Sequence, residues 1–216
     1  MFSPSSPSSP SSPSSPIGSA PAAAAPVSAR FARLGALCGT LSGLLIALPS
    51  LVEAFTGETA ATSLLLALSP AFSLPLLIAL HQRQSHLSGR FGESAYLVNL
   101  IGLSLFGGAA FTANLVLFHL DEDVIEAELT GPTIPVLLGS AVVFAVGCAL
   151  FGAAMIRAGR FPKVPSWGYA VALPLFAFLI TLPDSVFTSA LHIVVGATVI
   201  WLATSLWQNA SRGQAG

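Results

Sequence analysis

Charged side chains are scarce in this sequence, since Asp, Glu, Lys and Arg make up only 8% of its 216 residues. Soluble domains carry about 25% charged residues. Hydrophobic residues make up 54% of the chain, and so few charges could not cover the surface of a water-soluble fold of this length. The composition therefore excludes an ordinary soluble domain, and we expect no nucleic-acid partner.

Several motifs that carry chemistry are also missing. The two cysteines, Cys38 and Cys148, form no CxxC pair, so we interpret both as small packing residues. The single lysine, Lys163, lies in a connector between apolar runs, which excludes the buried Schiff base of a retinal protein. The sequence contains neither HExxH nor GxSG, so metalloprotease and intramembrane serine protease chemistry is not indicated. We expect no cofactor.

Long apolar runs, in contrast, are abundant. Six of them lie between Leu34 and Trp207, at about 34–52, 60–80, 95–120, 134–156, 167–182 and 186–207. Crossing the hydrocarbon core of a bilayer takes about 20 apolar residues in a helix. The sequence therefore predicts an all-α, polytopic membrane protein with six transmembrane helices in one bundle.

The charges of the connectors alternate along the chain. All eight Lys and Arg residues fall on one side of the six runs, and every acid except Glu93 falls on the other. Because Lys and Arg of short loops stay in the cytoplasm, we expect both termini to be cytoplasmic and the protein to lie in the bacterial inner or plasma membrane. The basic connectors should attract anionic lipid headgroups. Aromatic residues typical of the membrane interface follow the same inner ends: Tyr96, Trp167, Tyr169 and Trp207.

The two ends of the chain differ in composition from its apolar part. Residues 1–29 begin with a repeated Ser-Ser-Pro unit and continue through an Ala/Pro stretch, which predicts a disordered tail. Residues 30–208 would form the membrane domain, and residues 209–216 a short polar tail. An alternative is a signal peptide cleaved after Ala54, because basic residues, an apolar run and Pro49 precede that position.

Small residues recur at intervals of four on the fourth run: Ala141, Ala145, Ala149 and Ala153. Close approach of small residues holds helices together in lipid. We expect a neighbouring helix along this ridge, or a second protein chain in a homo- or hetero-oligomer. Ser104 with Gly108 on the third run, and Gly196 on the sixth, predict secondary contact faces.

Polar residues and prolines inside the runs indicate where a site would form. The intramembrane polar residues are Asn99, Asn114 and His192. Kinks, which would open a cavity beside them, are predicted at Pro70, Pro75 and Pro174. We predict a non-enzymatic protein, either a structural or accessory component or a bundle that binds a hydrophobic ligand. A small transporter or channel that uses the three polar residues is an alternative.

A metal site is a further possibility that the histidines raise. His119 lies at the outer end of the third run beside Asp121, and His192 lies nearer the outer end of its own helix. Imidazole together with carboxylate suits Zn²⁺ or a similar ion. The second alternative is therefore a metal- or haem-dependent membrane enzyme that uses His119 and His192. In a metal site, Asp121 would be the third ligand.

The segment LFGAAMIRAGRFPKVPSWGYAVALP, residues 150–174, joins the fourth and fifth runs. Its RAG, its following apolar residue and proline, and the Trp that opens the next helix resemble a junction in small uncharacterised bacterial membrane proteins. Those proteins have about six helices and carry a domain-of-unknown-function label. The resemblance implies a six-helix membrane protein and brings no catalytic residue with it.

Overall fold

The computed structural model describes residues 29–179 and 185–212. Within these ranges the chain forms helices and no strand: α1 Ala29–Thr56, α2 Ala60–Leu115, α3 Glu122–Glu128, α4 Thr133–Ala158, α5 Lys163–Leu179 and α6 Val186–Arg212. A 3-10 turn, Leu117–His119, lies between α2 and α3. The all-α prediction is confirmed. The predicted N-terminal tail lies almost wholly outside the described residues, whereas residues 209–212 of the predicted C-terminal tail belong to α6.

Helix α2 contains the second predicted run and most of the third in a single element, and it reverses direction at Gly89. The backbone there has φ 53° and ψ −157°, a region that is essentially restricted to glycine. The His81 and Tyr96 rings stack at 4.0 Å, and a Cβ on Gly107 would lie 3.0 Å from the Cβ of Pro70. Both pairs are nearly equidistant from Gly89 along the chain, so residues 60–88 (the first arm) and 90–115 (the second arm) form an antiparallel hairpin. The basic connector between the two runs is therefore helical rather than a loop.

Prolines within α2 leave its helical geometry in place. Gly89 is the only residue of α2 whose dihedral angles leave the helical region, although Pro70 and Pro75 lie inside the helix. A proline deprives the carbonyl four residues earlier of its usual donor. At Pro70 that carbonyl belongs to Leu66, and it accepts a hydrogen bond of 2.9 Å from the Ser69 hydroxyl.

The helices form a ring in which each neighbour runs antiparallel to the next. α1 packs against α6 and α2, α2 against α4, α4 against α5, and α5 against α6. The first arm contacts α1, where a Cβ on Gly35 would lie 2.6 Å from that of Ala79, and the second arm contacts α4 through Gly102 and Phe144. The chain order is therefore also the order around the ring.

Glycine permits the closest approaches in this ring. A Cβ built on Gly43 or on Gly196 would lie 2.6 Å from the carbonyl oxygen of the other residue, so α1 and α6 are in backbone contact. Gly147 contacts the backbone of Asn99 in the same way. The predicted contact at Gly196 is confirmed. The predicted contact at Gly108 is wrong, since a Cβ there would meet nothing within 4 Å.

The alanine ridge of α4 lies partly inside the bundle. Ala141 and Ala145 are buried, with 8% and 5% exposure, while Ala149 and Ala153 are half-buried. The first two residues therefore pack within the chain itself. An oligomer through this face stays a prediction.

Because neighbouring helices are antiparallel, the charged residues at their ends lie at the two ends of the ring. At the basic end, the Arg33 guanidinium lies 5.7 Å from the centre of the Trp207 ring, and Arg83 donates a hydrogen bond of 2.7 Å to the carbonyl of Asn209. Glu53, Glu58 and α3 lie at the other end, which we call the acidic end. The cation–acid segregation read from the sequence is thus a property of the fold.

The outside of the ring is apolar. On α1 the exposed residues include Leu34 and Leu37, at 58% and 56%, whereas the buried face is built mainly from Gly, Ala and Ser. Four helices are long and apolar enough to cross a membrane: Ala29–Thr56, Ala60–His119, Thr133–Ala158 and Val186–Ser211. These features indicate a membrane protein. These four helices give five crossings if the two arms of α2 each cross the membrane. A sixth crossing would be made by α5, for which 17 residues are described.

Candidate ligand-binding cavity

A cavity of about 510 Å³ lies inside the ring, toward the acidic end. The wall of the cavity is formed by α1, both arms of α2, α4, α5 and α6. One lining residue from each, in that order, is Ile46, Leu76, Phe106, Phe144, Phe176 and Val195. Ile125 and Leu129, in and just after the short helix α3, line it at the acidic end. Cavities of about 300–1,000 Å³ with mostly apolar walls are typical of small-molecule sites.

Three phenylalanines from three different helices form an aromatic section of this wall. The rings of Phe106 and Phe144 stack at 4.4 Å with an interplanar angle of 10°. Phe176 meets Phe106 edge-on at 5.9 Å. Such ring pairs add to the stability of a contact beyond the area that they bury, so the wall is preformed where α2, α4 and α5 meet.

His192, one of the three polar residues that the sequence singles out, lines the cavity. Its Nδ1 lies 2.7 Å from the carbonyl oxygen of Thr188, and its ring meets Phe176 edge-on at 4.7 Å. A carbonyl oxygen can only accept a hydrogen bond, so Nδ1 carries the proton in this contact. In the uncharged imidazole the lone pair is then on Nε2.

The two predicted asparagines have different positions. Asn114 lines the cavity together with His192, and its Nδ2 donates a hydrogen bond of 2.8 Å to the carbonyl of Ala110. Asn99 is fully buried in the helix packing and is not part of the cavity wall. The structure therefore brings two of the three predicted polar residues together.

Asn99 is connected to the cavity through Tyr169. Its Nδ2 donates a hydrogen bond of 2.7 Å to the Tyr169 hydroxyl, and Cys148 lies 3.4 Å from its Oδ1. Tyr169 lines the cavity and is only 5% exposed, so its prediction as an interfacial aromatic is wrong. Trp167, in contrast, is 57% exposed. Helical phase explains the difference, because these two neighbours point to different faces of α5.

The predicted metal ligands are not grouped. His119 is exposed in the 3-10 turn, where its ring meets Phe118 edge-on at 5.1 Å, and Asp121 is exposed as well. Neither lines the cavity that contains His192. Across the described ranges, no group of three or more His, Cys, Asp or Glu side chains could hold a metal ion.

Two acids in the cavity wall were not anticipated from the sequence. Glu53 and Glu58 both line the cavity, although the sequence places them simply among the acids of the outer face. The Ser63 hydroxyl donates a hydrogen bond to the Glu58 carboxylate. Only the position of these acids at the ends of α1 and α2 could have suggested that they border an internal space.

The cavity does not continue to the basic end through the described part of the ring. Phe151, Met155, Leu202 and Leu206 have no exposed surface and do not line the cavity. They belong to the halves of α4 and α6 that lie toward the basic end, where they form a packed apolar floor. A transporter or channel requires a continuous path, and that alternative stays a prediction.

Comparison of the chain with protein families, with curated proteins and with solved structures gives no match.

Proposed function

We propose that this protein binds a hydrophobic small molecule in the cavity inside its helical ring. The observation that carries the proposal is the space of about 510 Å³ to which α1, both arms of α2, α4, α5 and α6 all contribute lining residues. Its walls are mostly aliphatic and aromatic, with polar groups concentrated at a few positions such as His192 and Asn114. This combination is what small-molecule sites use, since apolar surface supplies affinity and a few polar groups fix orientation.

Filling the cavity should abolish binding. Ala110 lines it and is buried, so the Ala110→Phe side chain would occupy the space that a ligand needs. We expect labelling by a neutral dodecanol-based diazirine photoprobe, mapped by mass spectrometry to cavity peptides of the purified protein in nanodiscs, to fall at least about tenfold, a loss of about 1.4 kcal/mol or more.

Ala71→Phe is the matched control for this experiment. Ala71 belongs to the same helix but is exposed and does not line the cavity, so its replacement should leave cavity labelling unchanged. Wild-type protein that is labelled only on lipid-facing residues would contradict the proposed function.

We also propose that the ring lies in the cell membrane with six crossings and with both termini in the cytoplasm. The charge segregation between the basic and acidic ends supports this orientation, because Lys and Arg of short connectors stay on the cytoplasmic side. The basic end would then face the cytoplasmic leaflet and contact anionic lipid headgroups. The exposed leucines of α1 would face lipid.

Cysteine labelling tests this orientation. We expect Asp123→Cys to react with a membrane-impermeant maleimide in intact cells, and Arg160→Cys to react only after permeabilisation. Both native residues, Cys38 and Cys148, are replaced by alanine in the background. Asp123 and Arg160 are exposed, so folding should not limit either reaction. The reverse pattern of labelling would contradict the proposed orientation.

A further inference from the structure

The charged residues that line the cavity are all acidic. Glu53 and Glu58 are among the lining residues, and no Lys or Arg is found among those that the structure describes. The cations of the described chain lie at the basic end, beyond the packed apolar floor. A ligand in this cavity therefore meets negative charge, and in a partly desolvated space such charge discriminates strongly between cations and anions.

Three hydroxyl groups of the wall donate their hydrogens to the protein itself. Ser69 donates to the carbonyl of Leu66 at 2.9 Å, and Ser140 donates to that of Leu137 at 2.6 Å. Thr188 follows the same pattern, with its hydroxyl 2.8 Å from the carbonyl of Ser185. A hydroxyl that has donated its only hydrogen can offer a ligand only its oxygen lone pairs.

The nitrogen-bearing side chains of the wall, His192 and Asn114, also donate hydrogen bonds to the protein itself. An uncharged histidine has one N–H group. His192 donates it from Nδ1 to the Thr188 carbonyl. Asn114 donates one N–H to the Ala110 carbonyl. Its Oδ1 is an acceptor, and its second N–H is a donor. Carboxylates add acceptors only. The polar part of the wall is thus dominated by hydrogen-bond acceptors.

We infer that the ligand of this cavity is a lipophilic amine, meaning a protonated ammonium group attached to a single hydrocarbon body. The inference rests on the proposed function and adds the chemical class of the ligand. The ammonium supplies both features that the wall lacks, positive charge and N–H donors. Glu53 and Glu58 recognise this group at the acidic end, and the hydrocarbon body packs against Phe106, Phe144 and Phe176.

The same chemistry argues against a phospholipid with an amine headgroup. Such a lipid would place its phosphate next to its ammonium, and the phosphate would be repelled by the acids that attract the amine. No cation of the described wall is present to neutralise it. The ligand is therefore a single-chain amine.

Competition among three ligands with the same tail tests this inference. Dodecylammonium, dodecanol and dodecanoate are titrated against labelling by the neutral photoprobe in phosphatidylcholine nanodiscs. We expect dodecylammonium to compete at a concentration lower by about tenfold or more than dodecanol, as a hydrogen bond to a charged group allows, and dodecanoate to compete least. Competition against labelling of lipid-facing peptides in the same samples corrects for partitioning into the bilayer.

Variants that neutralise single acids test which carboxylate gives dodecylammonium its advantage. Glu53→Gln should remove most of the advantage of dodecylammonium over dodecanol without changing the affinity for dodecanol. Glu58→Gln provides a second test if the first variant fails to fold. Asp123→Asn removes an exposed acid of the same end that does not line the cavity, and it should leave the ranking unchanged.

The outcomes separate the two proposals. Photoprobe labelling of the cavity with equal competition by all three ligands, or with dodecanoate strongest, would overturn the amine inference and leave the proposed function standing. Competition by phosphatidylethanolamine as strong as that by dodecylammonium would overturn the choice of a single-chain amine. No labelling of the cavity by the neutral probe would overturn the proposed function itself.

Discussion

Replacing Gly196 by leucine is expected to prevent the ring of helices from closing. A Cβ at this position would lie 2.6 Å from the Gly43 carbonyl oxygen and 2.7 Å from the Ala47 Cβ, so the side chain has no room unless α1 and α6 separate. We expect the free energy of unfolding to fall by at least about 3 kcal/mol, the upper part of the usual range for overpacking. The fraction of monodisperse protein on size-exclusion chromatography in detergent, and the midpoint of unfolding, measure this loss.

Gly108→Leu is the control for that experiment. Gly108 is also a helical glycine, but a Cβ there would meet nothing within 4 Å, so the leucine side chain would extend from the surface of the second arm. We expect it to leave both measurements unchanged within error. Equal loss from the two variants would show that the α1–α6 contact is not what makes Gly196 necessary.

Replacing Gly89 by alanine is expected to destabilise the protein through the backbone alone. Beyond the adjacent backbone, no atom lies within 4 Å of the position that a Cβ on Gly89 would take, so no packing clash opposes the substitution. The cost arises because φ is 53° and ψ is −157°, and strained backbone conformations of this kind cost about 1–3 kcal/mol in a residue with a side chain. We expect that loss in unfolding by sodium dodecyl sulphate followed by circular dichroism.

Gly108→Ala provides the comparison for Gly89→Ala. Both positions have open space around them, and they differ in backbone conformation, since Gly108 lies within the helical second arm. Alanine is the better helix former, so Gly108→Ala should be neutral or slightly stabilising. A neutral Gly89→Ala variant would mean that the hairpin does not depend on the left-handed backbone at its tip.

The sequence predicts the helices well because apolar runs of membrane length are easily recognised. The fourth run, about 134–156, corresponds to α4, Thr133–Ala158, and the sixth corresponds to the beginning and most of α6. His192 and Asn114, which the sequence singles out as polar residues inside apolar runs, both line the cavity. Polar side chains in an apolar helix are conspicuous, and they seldom face lipid.

What the sequence does not reveal is which face of each helix points inward. In a soluble helix the hydrophobic side marks the core, but here leucines such as Leu34 are exposed and the buried face of α1 is formed mainly by small residues. The sequence places Glu53 and Glu58 only among the acids on one side of the runs, because no pattern in it indicates that an interior space opens beside them. Tyr169 could not be distinguished from Trp167 without the helical phase that the neighbours impose.

The contact between Gly43 and Gly196 joins the first helix of the described chain to the last, whereas the other principal contacts join long helices that follow one another along the chain, with only the 3-10 turn and the short α3 between α2 and α4. During biosynthesis, the N-terminal helices can therefore pair as they emerge from the ribosome, but the lumen stays open on one side until α6 has been made. The site can therefore close only after α6 has been synthesised, and a chain truncated before α6 would form a partial ring in which the small-residue face of α1 is left uncovered.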